Sequence, residues 1–405
     1  MSVTTISKSP LRVALFSGNY NYVMDGPVRA LNQLVAFLEK QGVEVLVFAP
    51  TVAKPAFKHA GTLISVPSLP MLGRSEYRVG LGLPRSVRKV LDDFNPNLIH
   101  LAAPELIGFA AQRYARKNNI PAVASFHTRF DTYFRYYKLG WLEKYLTAGM
   151  RRFYNRCEHV YVPSDSMRKV LRDEGVGREL RIWARGVDTT LFCPQKRDMN
   201  WRRGLGIEDH EKIILFVGRL VLEKGLDAFA DVIDGLKTQN IPHRAVFVGE
   251  GPARDFITER LPDAILTGFL EGEDLARAYA SADIFLNPSI TETFGNVTLE
   301  AMASGIPALC ANATGSQSLV QDGITGFLAK PDNTEDYLHK IKQMISDPAL
   351  YSRMATASLQ RGQQYSWDNV LHGLLQQYYE VIEQPSHKKE AAQGHSNTVK
   401  PSPSL

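Results

Sequence analysis

Short apolar runs alternate with longer amphipathic stretches along the first half of the chain. Residues 11–17 form an apolar run that ends at Gly18, and its length and composition predict a buried parallel strand. Residues 26–41 then place apolar side chains at helical spacing, and residues 43–49 form the next apolar run. The succession predicts a βαβ unit, and the same alternation predicts strands at 97–101, 121–126 and 159–163.

A second alternating series begins at Lys212. Its apolar runs predict strands at 213–219, 245–248, 264–267, 283–287 and 325–328, with helical stretches between them. A final amphipathic helix is predicted from Ser366 to Glu383. The chain is therefore predicted to be an α/β protein with two parallel-sheet domains.

The polar stretch 192–201 separates the two series and is predicted to be the linker. It divides the chain into a first domain at 11–191, completed by the closing helix 367–384, and a second domain at 202–366. Residues 1–10 are predicted to be a flexible amino terminus. The Pro/Ser-rich residues 385–405 are predicted to be a disordered tail.

Charge and cysteine content narrow the classes of function. A net charge of +5 over 405 residues is too small to indicate a nucleic-acid partner, but it fits an anionic substrate or an anionic membrane surface. The three cysteines are far apart, which predicts reduced thiols in a cytoplasmic protein. The polar first ten residues predict no secretory leader, and no apolar run is long enough to predict a membrane span.

Residues 129–156 carry seven basic and two acidic side chains, interleaved with aromatic residues. Such a segment could lie at a lipid–water interface, with its cations on anionic lipid. The alternative is a long helix with a solvated basic face and an aromatic core stripe. Both interpretations stay open.

The most informative stretch is Ser289–Gly305, in which Glu292 and Glu300 stand eight positions apart. Gly295 lets the backbone approach a ligand, and a helix is predicted to begin at Asn296. The first amides of a helix lack internal partners and favour an anion such as a diphosphate. Carboxylates on either side suit pairs of sugar hydroxyls. The alternative is one glutamate that caps the helix and another on a solvated face.

Four further positions follow predicted strands. Arg219 and Lys224 come just after the strand 213–219, where a guanidinium and an ammonium can share one anion. Gly26 and His127 follow the first and fourth predicted strands, where open α/β sheets bind ligands. The alternatives are solvated loop cations, a turn glycine and a histidine that caps its strand.

Together these residues resemble glycosyltransferase family 4. The segments GRLVLEKG, VGEGP, TGF and ADIFLNPSITETFGNVTLEAMASGIP carry the resemblance, in the order that the family shows. It runs from about Leu11 to Glu383 and is nearest to GDP-mannose-dependent α-mannosyltransferases and sulfoquinovosyl-diacylglycerol synthases. It implies the GT-B fold, in which two Rossmann-like domains flank a central cleft.

The resemblance also implies roles for individual residues. The catalytic positions are His127, at the reaction centre, and Glu292, which faces the hydroxyls of the donor sugar. The positions that bind the donor contact its diphosphate, base, sugar or ribose, and they are Gly26, Arg219, Lys224, Leu270, Phe294, Gly295, Asn296, Val297 and Glu300.

The reaction implied is the retaining transfer of a hexosyl unit from GDP-mannose or a UDP-hexose to an acceptor hydroxyl. The acceptor is expected to be a lipid, reached by a cytoplasmic enzyme on the inner face of the membrane. A soluble saccharide acceptor and a non-catalytic sugar-nucleotide-binding regulator stay open as alternatives. The sequence has no D-x-D motif, so no metal and no other cofactor is expected.

Overall fold

The computed structural model describes residues 10–23, 25–71, 74–126, 143–292 and 294–383. The chain divides into two compact units. The first unit takes its described residues from 1–161, 172–181 and 371–405, and the second consists of 162–171 and 182–370.

The first unit is built on a seven-stranded sheet with the order β3-β2-β1-β6-β7-β8-β9. The registers from β3 to β8 are parallel, and a short antiparallel hairpin, β4–β5, stands apart from this sheet. The strands are β1 Arg12–Phe16, β2 Glu44–Ala49, β3 Thr62–Ser65, β4 Ser68–Met71, β5 Arg74–Gly80, β6 Leu98–Leu101, β7 Ala122–Ser125, β8 Val160–Val162 and β9 Leu180–Ile182.

Helices connect these strands, as the helical spacing of apolar residues predicts. Asp25 caps the first helix, because its carboxylate accepts a hydrogen bond from the Val28 amide at 2.8 Å. The helices are α1 Gly26–Lys40, α2 Arg85–Phe94, α3 Leu106–Lys117, α4 Glu143–Tyr154 and α5 Asp165–Asp173.

The second unit contains a six-stranded parallel sheet with the order β12-β11-β10-β13-β14-β15. Its strands are β10 Lys212–Val217, β11 His243–Val248, β12 Ile265–Gly268, β13 Ile284–Asn287, β14 Ala308–Ala311 and β15 Gly326–Ala329. Its helices are α6 Met199–Gly204, α7 Leu226–Thr238, α8 Arg254–Arg260, α9 Gly272–Ser281, α10 Asn296–Ala303, α11 Thr314–Leu319, α12 Thr334–Ser346 and α13 Pro348–Gln364.

Both faces of the second sheet are buried. Leu215 and Val217 of β10 pack into one hydrophobic cluster, while Ile214 and Phe216 pack into another. Alternate side chains of β10 therefore pack into hydrophobic clusters on opposite faces of the sheet. This is why the strand is a continuous apolar run in the sequence.

Residues 192–201, the predicted linker, lie within the second unit. Arg197 binds Asp283 at 3.0 Å, just before β13. Arg202 is buried and binds the other oxygen of the same carboxylate at 2.8 Å. This segment is therefore fixed to the sheet of the second unit.

The closing helix, α14 Trp367–Glu383, packs most of its length on the first unit. Its Tyr378 hydroxyl contacts Nδ1 of His100 on β6, and Nε2 of His100 contacts the Ser125 hydroxyl. The His372 ring meets the Phe37 ring edge-on, with centroids 4.7 Å apart. The first domain is thus completed by a helix from the far end of the chain.

Candidate active site

The predicted donor-binding residues of the second unit follow two neighbouring strands. β10 pairs with β13, and the chain winds outward in opposite directions from this pair. Loops that follow such strands part from each other and leave a crevice at the carboxyl edge of the sheet. Arg219 and Lys224 lie in the loop after β10, and Glu292 lies in the loop after β13.

Lys224 and Glu292 form an ion pair across this crevice. Nζ of Lys224 donates to Oε1 of Glu292 at 2.6 Å, and both side chains are largely but not fully buried. Gly225 brings the two loops together: its φ is +75°, and a Cβ there would lie 3.0 Å from the Pro288 carbonyl oxygen. The structure therefore joins two predicted site residues that are 68 positions apart.

Arg219 supplies a second cation at the same edge of the sheet. Its side chain is exposed, and it makes no hydrogen bond or ion pair within the described residues. A solvated guanidinium just past a strand that carries a ligand crevice is available to bind an anion.

Helix α10 begins beside Glu292, as predicted. Gly295 caps it with φ +97°, and the first amide to bond within the helix is that of Leu299, to the Gly295 carbonyl. The amides of Asn296 and Val297 thus precede the first helical hydrogen bond and carry the positive end of the helix dipole. Phe294 is buried against the Tyr365 ring and anchors this helix start.

Glu300 lies one turn into α10, and Tyr279 on α9 orients it. The Tyr279 hydroxyl donates to Oε2 of Glu300 at 2.9 Å. Burial, followed by the negative charge of Glu300, raises the Tyr279 pKa well above its usual value, so this hydroxyl stays a donor. This hydrogen bond holds Oε2 of Glu300 in place and therefore also sets the direction in which Oε1 points.

Leu270 follows β12 and is partly buried against the hydrophobic core of the second unit. Phe269, the residue before it, is 70% exposed. From the sequence alone, this phenylalanine stands out only as part of the TGF segment. Its exposed aromatic ring thus lies next in the chain to the predicted base-binding position.

Two glycines in the loop after β11 let it pack closely on the loop after β10. A Cβ on Gly249 would lie 2.0 Å from the Gly218 carbonyl oxygen, and one on Gly251 would lie 2.3 Å from the Leu220 carbonyl oxygen. These glycines let neighbouring loops pack backbone against backbone. They shape the edge of the sheet by close contact between the loops.

Helix α11 packs against the backbone of Glu292 at Gly315. This contact was not predicted from the sequence. A Cβ on Gly315 would lie 2.6 Å from the Glu292 carbonyl oxygen, so only glycine lets this helix approach the loop. No sequence pattern relates the two residues, because the contact depends on how the loops after β13 and β14 meet.

The remaining predicted residues belong to the first unit. Gly26 begins α1, and a Cβ added there would meet no atom within 4 Å. His127 lies outside the described residues, as does the first half, 129–142, of the basic and aromatic segment 129–156. The described end of that segment is helical, with Phe153 and Tyr154 buried in the core of the first unit. The predicted tail 385–405 is also outside the described residues.

Comparison with known proteins shows the family to which this chain belongs. The family model described as Glycosyltransferase Family 4 matches residues 24–191, and the model described as Glycosyl transferases group 1 matches residues 198–361. A GDP-mannose-dependent alpha-mannosyltransferase from Corynebacterium glutamicum is 33% identical over 92% of this chain and 90% of its own length. The chain belongs to glycosyltransferase family 4.

Other relatives of this transferase differ in their named activities. The sulfoquinovosyl transferase of Arabidopsis thaliana is 31% identical, over 88% of this chain and 71% of its own. An alpha-monoglucosyldiacylglycerol synthase from Streptococcus pneumoniae is 28% identical, over 78% of this chain and 75% of its own.

Solved structures confirm the predicted GT-B class of the transferase. The sucrose-phosphate synthase of Thermosynechococcus elongatus superposes with a TM-score of 0.71 at 20% identity, covering 92% of this chain and 99% of that one. An Anabaena protein crystallised with UDP-glucose superposes with a TM-score of 0.66 at 19% identity, covering 91% and 100%.

Two features are missing from the described part of the transferase. Among its described helices, none combines the length and apolar character needed to cross a membrane. Its described side chains include no cluster of three or more His, Cys, Asp or Glu residues suited to a metal ion.

Proposed function

We propose that this enzyme transfers a hexosyl unit, with retention of anomeric configuration, from a nucleoside diphosphate sugar to a hydroxyl group of a lipid. The observation that carries the proposal is the Lys224–Glu292 pair, at 2.6 Å, beside the amino end of α10. The cation and the free helix amides suit the diphosphate of such a donor, which is also the leaving group. The carboxylate suits the hydroxyls of the donor sugar.

The diphosphate, the sugar and the ribose of the donor each have complementary groups in the second unit. The diphosphate lies against the α10 amides of Asn296 and Val297, with Arg219 and Lys224 as its counter-ions. Glu292 accepts hydrogen bonds from the sugar hydroxyls, and Glu300 accepts them from the ribose. GDP-mannose is the first candidate donor because the Corynebacterium relative is named for it. A UDP-hexose is the second, since the Anabaena neighbour was crystallised with UDP-glucose.

The chemistry follows from where charge develops. As the glycosidic bond breaks, the diphosphate gains negative charge and the sugar ring gains positive charge. Arg219, Lys224 and the α10 amides stabilise the first without reorganising. A retaining glycosidase would need a carboxylate nucleophile close to an acid. This enzyme instead reacts on one face of the sugar, the leaving phosphate takes the acceptor proton, and His127 orients the sugar.

The lipid acceptor is proposed from the name of one relative and from one segment of the sequence. It is supported by the diacylglycerol in the name of the Streptococcus relative. The basic and aromatic segment 129–156 is proposed to bind anionic lipid, which would place the enzyme on the inner face of the cytoplasmic membrane. No metal is proposed, because the cations at the crevice already balance the diphosphate.

A thermal-shift comparison of GDP, UDP, GDP-mannose and UDP-glucose tests the donor. A rise in unfolding temperature of several degrees with one nucleotide family is expected, and it should be lost in Lys224→Ala. Incubation of the preferred donor with dioctanoylglycerol micelles then tests the acceptor. A glycolipid product supports the lipid acceptor, whereas transfer to methyl mannoside alone favours a saccharide. Binding without any turnover would point to a regulator.

A further inference from the structure

The sheet of the first unit has its own crevice, between β1 and β6. These strands are parallel neighbours, and the chain winds outward from them in opposite directions. The loop 17–25 follows β1, and the loop 102–105 follows β6. Ligands of open α/β sheets bind where two such loops part.

The carboxyl group of Glu105 lies in this crevice, over Gly18. A Cβ built on Gly18 would lie 1.6 Å from Oε2 and 2.6 Å from Oε1 of Glu105. Gly18 is not among the glycines with positive φ. Glycine is therefore required at this position for space rather than for backbone conformation, and the space is taken by the carboxyl group.

The Glu105 carboxyl has no partner in the described part of the chain, where it makes neither a hydrogen bond nor an ion pair. Tyr22 from the loop after β1 and Tyr154 from α4 are the titratable groups that face it, and each has its own pKa raised, first by burial. Burial also raises the pKa of Glu105 to about 7. A carboxylate that is largely shielded from water and has no partner destabilises a fold, so a ligand that donates a hydrogen bond to it would explain its presence.

The surroundings of Glu105 define the ligand chemistry. An ionised carboxylate only accepts hydrogen bonds, and no described lysine or arginine affects the pKa of Glu105. An anionic headgroup would therefore be repelled here, whereas a neutral hydroxyl group would donate to the carboxylate. Given the proposed function, on which this rests, we propose that Glu105 binds a hydroxyl group of the acceptor and so selects acceptors that are uncharged at this position.

The crevice also borders the end of β7. The Tyr154 hydroxyl donates to the Ser125 carbonyl oxygen at 3.4 Å, and the Tyr154 ring lies 5.5 Å from the Phe126 ring. Phe126 immediately precedes His127 in the sequence. Glu105 thus lies on the side of the first unit from which the chain leads to the predicted reaction centre.

Kinetics of Glu105→Gln with dioctanoylglycerol micelles and methyl mannoside as acceptors test the proposal. For whichever acceptor the wild type uses, the variant should raise KM at least tenfold while the KM for the donor changes less than twofold. The wild-type kcat/KM for the acceptor should rise with pH through about 7, as Glu105 ionises, and this rise should be missing in the variant. Glu44→Gln, at an exposed position, serves as the control.

Gly18→Ala separates binding from folding. Its new methyl group displaces only the end of the Glu105 side chain, so the protein should fold and show the same rise in acceptor KM. The two substitutions combined should cost no more than one alone. An acceptor KM and a pH profile like those of the wild type in Glu105→Gln would overturn the proposal. Slow hydrolysis of the donor in the absence of acceptor tests the proposed transferase function separately from acceptor binding. A wild-type protein that neither hydrolyses the donor nor transfers its sugar would overturn both the proposed function and the proposed role of Glu105.

Discussion

Nζ of Lys224 and Oε1 of Glu292 lie 2.6 Å apart, although the residues follow different strands of the second unit. The pair links the cation proposed for the diphosphate to the carboxylate proposed for the sugar. Removing either side chain leaves the other charge in a partly buried place. The two residues are therefore expected to act as one unit in donor binding and catalysis.

Lys224→Ala is predicted to lower kcat/KM for the donor about a hundredfold or more, the usual effect of removing one preorganised charge partner. Glu292→Gln should cause a loss of similar size, and the double variant should lose less than the sum of the two. Steady-state kinetics check this. Lys237→Ala is the control, because Lys237 binds Asp263 at 2.9 Å on the exposed surface of the same unit. Additive losses would contradict a shared role.

Tyr279→Phe is predicted to weaken nucleotide binding severalfold, because the hydroxyl that orients Glu300 at 2.9 Å is lost. The fold should lose about 1.5–3 kcal/mol, as expected for a hydrogen bond to a carboxylate. Calorimetric titration with the nucleotide and urea denaturation measure the two effects.

Tyr351→Phe is the matched control for this prediction. It removes a hydrogen bond of the same length, to the Asp283 carbonyl oxygen. It should reduce stability by about 1 kcal/mol and leave the nucleotide affinity unchanged. Equal affinity losses in both variants would show that Tyr279 acts only through stability.

Gly26→Ala tests whether a ligand approaches the start of α1. A Cβ at this position meets no atom within 4 Å, so the fold should tolerate alanine, which also favours the helix. Activity is nevertheless predicted to fall at least tenfold, because the methyl group would occupy space that the ligand needs. Gly373→Ala, equally open and within α14, should keep full activity. Unchanged kinetics in Gly26→Ala would indicate a turn glycine without a role in binding.

The sequence predicted most of the strands because the central strands of the two parallel sheets are buried on both faces. Runs such as Ile213–Val217 of β10 are apolar throughout and clearly indicate a buried strand. β14 was not predicted, because its small residues Ala308–Ala311 make a weak apolar signal. β3 was not predicted either, because Thr62–Ser65 is an edge strand that is partly exposed and polar at both ends.

The sequence could propose individual site residues but not the contacts between them. The motif around Glu292 predicts an anion site by its local order of glycine and helix start. The contact of Glu292 with Lys224 depends on β10 and β13 being neighbours, which is a property of the sheet order. Gly18 and Glu105 are related in the same way, through β1 and β6. Sequence spacing carries no information about such pairs.

Metal independence is predicted from the proposed charge balance at the crevice. Activity in an excess of EDTA should equal the activity without it, because Arg219, Lys224 and the α10 amides already neutralise the diphosphate. Initial rates before and after dialysis against the chelator check this. Loss of activity that returns with magnesium or manganese would contradict the proposed role of the two cations.

His100 should make the stability of the first unit depend on pH. Its ring is buried between Tyr378 and Ser125, and burial lowers its pKa from 6.5 to about 3. The native protein keeps this ring neutral, while the unfolded chain protonates it below pH 6.5. Stability is therefore complete above pH 6.5 and falls as the pH drops toward 3, by about 1.4 kcal/mol per unit.

Urea denaturation at pH 7.5 and pH 5 measures this dependence. The wild type should lose about 2 kcal/mol between the two values through His100 alone. His100→Asn should be less stable at pH 7.5, because it loses the contacts with α14 and β7, but its stability should change less with pH. His210→Asn is the control, since His210 is exposed beside Glu208. If the free energy of unfolding changed equally with pH in the wild type and in His100→Asn, His100 would not be the source of the pH dependence.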